Sequence, residues 1–112
     1  METVWSLKID EVLKVGVNLN ELGVNNWALN KSEALVVLDK LTKLGVSVLG
    51  GDVYEESQGI IQPNYDSWYC DELLEESKEE YVRRSIKEAR SYIEKYNFRN
   101  AENIFFVFVP GV

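Results

Sequence analysis

Six residues near the end of the chain, Ile104-Phe105-Phe106-Val107-Phe108-Val109, run without a polar member up to Pro110. All are β-branched or aromatic, the types that favour extended backbone. A strand with one wet face alternates apolar and polar residues, so an unbroken run needs cover on both faces. This strand is therefore expected to be central in its sheet, with layers covering each side. With 112 residues, 46% of them hydrophobic and 12% aromatic, the chain can supply those layers. That length suits one domain spanning residues 1–112.

Three helices are expected around that strand. Residues 4–15 carry Trp5, Ile9, Val12 and Leu13 at helical spacing, with Gly16 as the stop. The second opens on Asn30, with Glu33 three residues on as the reciprocal partner of a capping box. It presents Ala34, Leu35, Leu38, Leu41 and Thr42 on one face and closes at Gly45, with Asp39 and Lys43 spaced to pair. The third opens on Ser77 with Glu80 in the same relation, shows Tyr81, Val82, Ile86, Ala89, Ile93 and Tyr96 on one face, and ends at Asn97. Its acids come first and Arg83, Arg84, Lys87, Arg90 and Lys95 follow, which suits the helix dipole.

Residues 46–49 start a strand. Gly50-Gly51 then interrupts it with a turn, a bulge or a close backbone approach, and Val53-Tyr54 resumes it. The glycines are not a phosphate loop, because no Lys-Ser/Thr and no helix follow them. Residues 55–64 read as a polar connection in which Ile60-Ile61 pairs briefly. Residues 66–70 read as another strand, residues 17–23 as a short turn of helix or a loop, and residues 24–29, anchored by Trp27, as a connection with room for a short strand. The expected architecture is α+β: a small mixed β-sheet packed against about three α-helices.

Charge is concentrated. Residues 52–80 hold ten of the 19 acids and only one base, Lys78, whereas the rest of the chain carries nine acids and 11 bases. Tyr54, Tyr65, Trp68 and Tyr69 lie inside the acidic block. Carboxylates among aromatics make a surface suited to a positive partner. Such a chain is a poor ligand for a nucleic-acid backbone, which needs Lys and Arg. The absence of histidine removes Ser-His-Asp and Cys-His catalysis and imidazole zinc sites. No acid pair stands out for hydrolysis, and Asp52, Glu55 and Glu56 lack the spacing of a calcium loop. We expect no enzyme activity and no cofactor or metal. Lone Cys70 reads as a small packed thiol. With no export signal and no membrane-length apolar run, the expected location is the cytoplasm.

The stretches Val48-Leu49-Gly50-Gly51-Asp52-Val53-Tyr54 and Pro63-Asn64-Tyr65-Asp66-Ser67-Trp68-Tyr69 resemble the immunity protein 40 family of polymorphic-toxin systems. Residues 23–29 and 85–96, with Ala89, Tyr92 and Ile93, are similar as well. The resemblance implies a small cytoplasmic antitoxin that binds the C-terminal domain of a cognate toxin, including those of contact-dependent growth inhibition. It implies no catalytic residue. An acidic surface suits the basic cleft of an RNase or DNase. The expected toxin-facing residues are Asp52, Tyr54, Glu55, Glu56, Tyr65, Asp66, Tyr69, Asp71, Glu72, Glu75 and Glu76. For Asp52 a turn-stabilising role stands equally. The competing expectations are an acidic adaptor or nucleic-acid mimic, which would bind many basic partners, and a small hydrolase.

Overall fold

The computed structural model describes residues 3–96 and 103–111. In chain order these form α1 (Leu7–Leu13), β1 (Val17–Asn18), a 3-10 turn (Asn20–Leu22), β2 (Trp27–Ala28), α2 (Lys31–Leu44), β3 (Ser47–Ser57), β4 (Ile60–Tyr69), α3 (Lys78–Lys95) and β5 (Asn103–Gly111). This is the expected α+β class. Both pairings in the main sheet, ordered β4-β3-β5, are antiparallel, so the sheet is not mixed. A second antiparallel pair joins β1 to β2.

The apolar run in β5 is covered on both faces, as its composition demands. Ile104, Phe106 and Phe108 pack with Leu38, Leu41, Ile86 and Ile93 of α2 and α3. Phe105 and Val107 point the other way, onto Leu19, Ala28 and Tyr54. Burying each such phenylalanine contributes about 1.5–3 kcal/mol. The middle strand, however, is β3 rather than β5. The outer edge of β5 is closed where Leu29 and Phe106 exchange backbone hydrogen bonds of 2.9 and 2.7 Å. The segment from 17 to 29, with the expected turn of helix at Asn20–Leu22 and a short strand at Trp27–Ala28, is therefore the second covering layer.

Both capping boxes form, Asn30 with Glu33 and Ser77 with Glu80. Gly45 ends α2 with a left-handed φ of 70°. Three local expectations are corrected. First, α1 is shorter than residues 4–15: Ser6 caps it, and the Asp10 carboxylate accepts the Val4 and Trp5 N–H groups, which holds those residues outside the helix. Second, residues 55–64 are not a connection. They are the ends of β3 and β4, joined by a two-residue turn at Gln58-Gly59 where both φ angles are positive. Third, Asp39 pairs across helices with Arg90 at 2.6 Å rather than with Lys43. The expected end of α3 at Asn97 lies outside the described residues; Lys95 is the last described helical residue.

The glycine pair is a close approach. A Cβ on Gly51 would strike the Trp68 ring and lie 2.6 Å from the Val107 carbonyl oxygen. Glycine here lets β4 fold its tryptophan flat beneath the sheet.

Candidate functional site

Along β3, Asp52 pairs with Ser67 and Tyr54 with Pro63, so two steps on β3 span four on β4. The surplus residues form a bulge at 64–66. It is tied down by a small network. Asn64 Oδ1 accepts the Asp66 N–H at 2.9 Å, and Asn64 Nδ2 donates to Tyr96 Oη at 2.8 Å. Tyr96 Oη in turn donates to the Asp66 carboxylate at 2.6 Å. Burial, then the bond to Asp66, pushes the Tyr96 hydroxyl up to about 12. At the crest of the bulge Tyr65 has a φ of 70° and is 89% exposed. A non-glycine residue in this region is strained, and its ring is held out in water.

The connection from β4 to α3 is anchored at both ends by Arg84. Its guanidinium grips Glu76 through two bonds, Nε to Oε2 at 2.6 Å and Nη2 to Oε1 at 2.7 Å. It also donates to the Asp71 carbonyl and to Cys70 Sγ. Tyr81 stacks near the guanidinium and donates its hydroxyl to the Cys70 carbonyl. The Arg84 hydrogen bonds hold the Glu76 carboxyl down at about 2, helped by the Leu73 N–H. Burial pushes the Cys70 thiol up, which matches a packed thiol. With both ends fixed, the middle of the connection projects outward: Leu73 is 59% exposed and Leu74 fully so.

Between β4 and α3 runs a groove of about 440 Å³ walled by Trp68, Tyr69, Tyr92 and Tyr96, with Glu88 and Lys95 in its lining. Trp68 stacks on Tyr92 at 4.6 Å and meets Phe108 edge-on at 6.0 Å. Trp68 Nε1 is buried and has no hydrogen-bond partner among the described residues.

The acidic block does not gather onto one patch. Tyr69, Asp71, Glu72 and Glu75 lie together at the end of β4 and in the connection after it, all exposed. Glu55 and Glu56 sit near the hairpin turn. Five residues of β3 separate Glu55 from Gly50, the partner of Tyr69, or about 17 Å of strand. Glu56 accepts from Asn103 at 2.9 Å. Asp52 is exposed on the face opposite Trp68, and Asp66 is bound to Tyr96. Two expectations of exposure are corrected. Tyr54 is buried in the second core cluster, because the 17–29 segment covers that face. Burial, then Asp52 and Tyr65, raises its hydroxyl pKa. Glu76 keeps only 8% of its side-chain surface, because Arg84 takes it.

Sequence reasoning passed over Leu73 and Leu74, although an apolar pair inside an acidic run is itself a signal. It also missed the groove residues Glu88 and Tyr92, which only the packing of α3 on β4 brings beside Trp68. Among the described residues no cluster of three or more metal-ligating side chains occurs, and no helix is long and apolar enough to cross a membrane.

A model of the immunity protein 40 family matches residues 18–110, which takes in both covering layers, the bulge and the groove. No curated protein and no solved structure matches.

Proposed function

The chain belongs to the immunity protein 40 family, and from that premise we propose that it neutralises a polymorphic toxin by covering the toxin's C-terminal domain with β4 and the β4–α3 connection. Family membership implies the immunity role and a cognate toxin as the partner. The observation that carries the choice of surface is that Tyr65 and Tyr69 of β4 and Leu73 and Leu74 of the connection after it are each exposed, in a stretch that also carries the exposed carboxylates Asp71, Glu72 and Glu75. Asp71, Glu72 and Glu75 have no ion pair among the described residues. Apolar and aromatic anchors inside a charged rim are the anatomy of a protein–protein interface. A protein that only solvated itself would gain nothing from a fully exposed leucine in this connection or from a strained, exposed tyrosine on the strand before it.

The charge sets the partner's chemistry. A nuclease must attract a polyanion, so its cleft is basic. An acidic surface fits such a cleft, excludes the substrate and is steered into place. Glu55 and Glu56, nearer the hairpin turn than Tyr69 and the connection, add to the steering field, as does Asp52. Inhibition is by occupation, without turnover, in the cytoplasm where the toxin arrives. Residues 1–112 act as one domain.

Calorimetry between the purified chain and the C-terminal domain of the cognate toxin, at two salt concentrations, tests this. Nanomolar binding that weakens as salt rises is expected. Tight binding indifferent to salt removes the acidic surface from the account. Binding to unrelated basic proteins with equal affinity makes the chain a general acidic adaptor instead.

A further inference from the structure

The groove between β4 and α3 has walls suited to a flat cation. Trp68, Tyr69, Tyr92 and Tyr96 supply aromatic surface, and Tyr69, at 80% exposure, is also one of the exposed residues described above. Resting on the toxin-binding reading, we infer that this groove receives an arginine side chain of the toxin, held between aromatic faces and the Glu88 carboxylate. It thereby fixes the register in which the toxin docks.

The lining charges decide both the sign and the position of the guest. Glu88 has no ion pair among the described residues, because Arg84, one turn earlier, is committed to Glu76. Lys95 lies seven residues further along α3, about 10 Å by helical rise. A cation is therefore drawn to the Glu88 end and repelled from the Lys95 end. An anion would meet the reverse field, with Asp66 close by on Tyr96. Between the two cationic side chains, arginine fits better. Its planar guanidinium stacks on Tyr and Trp faces, where an ammonium cannot, and its forked donors match a carboxylate.

The test is calorimetry of the toxin's C-terminal domain against four variants, with far-UV circular dichroism melts confirming each fold. Glu88→Gln should weaken binding tenfold or more. Ser91→Trp, which fills the groove from α3, should weaken it about a hundredfold. Lys95→Gln should tighten it severalfold, a change that a merely structural lysine would not produce. Glu94→Gln, on α3 but outside the groove lining, should stay within twofold. If the wild type binds the toxin domain while E88Q and S91W bind equally well, the groove is not the arginine site and the immunity reading stands. If the wild type does not bind, both readings fall together.

Discussion

Gly51→Ala is the sharpest perturbation of the framework that shapes the proposed interface. The new methyl would strike the Trp68 ring, lying 2.7 Å from Cζ3, and stand 2.6 Å from the Val107 carbonyl oxygen. Neither obstacle can yield cheaply. The indole is clamped between Tyr92 at 4.6 Å and Phe108 at 6.0 Å, and the carbonyl belongs to β5, paired with β3 along its length. Overpacking of a well-filled core costs about 1–3 kcal/mol. Because one obstacle here is backbone, the upper end applies, about 3 kcal/mol, which lowers Tm by roughly 12 °C in a chain of this size. Urea unfolding followed by tryptophan fluorescence and by far-UV circular dichroism measures it. Gly59→Ala is the control: φ is +79° but no atom lies within 4 Å, so only backbone strain of about 1 kcal/mol is expected. A Gly51→Ala protein within about 0.5 kcal/mol of wild type would refute the close approach of β4 on β3.

Other outcomes follow from the same geometry. Ser85 Oγ accepts the Val48 N–H at 3.0 Å in the buried core, so Ser85→Ala strands that donor and should cost about 1–3 kcal/mol in chemical unfolding. Tyr65→Gly relieves the positive φ and should leave the melt unchanged or slightly raised, while toxin affinity falls tenfold or more; equal affinity would take Tyr65 out of the interface. Glu76 titrates at about 2 when folded against an ordinary 4.5, so its stabilisation is complete above pH 4.5 and is lost as pH falls through 2. Acid unfolding of Glu76→Gln should show a smaller pH dependence across that window. Tyr96, raised to about 12 from 10, contributes stability that is full below pH 10 and lost by pH 12; Tyr96→Phe should flatten alkaline unfolding there.

What was legible in the sequence was local. Asn30 with Glu33 and Ser77 with Glu80 close their capping boxes within four residues, so no distant part of the chain can alter them. The two-sided burial of β5 was legible because six adjacent apolar residues admit no wet face. Its neighbours were not, since pairing with β3 and the Leu29 bridge depend on residues 47 or more positions away. The hairpin at 55–64 was missed because Glu55, Glu56 and Gln62 lie where the strands run towards their turn and carry few apolar side chains. The candidate surface was half legible. Counting charge found the acidic connection, but it counted Glu76 as exposed although Arg84, eight residues on, takes it inside. Tyr54 was drawn outward by its acidic neighbours in sequence, and the 17–29 layer buries it.

By the function proposed above, this chain silences its toxin by occupying it. The most direct measurement is the activity of the purified toxin domain on nucleic acid as the chain is titrated in. A linear fall that reaches zero near one equivalent is expected. Undiminished cleavage at saturating chain would contradict it.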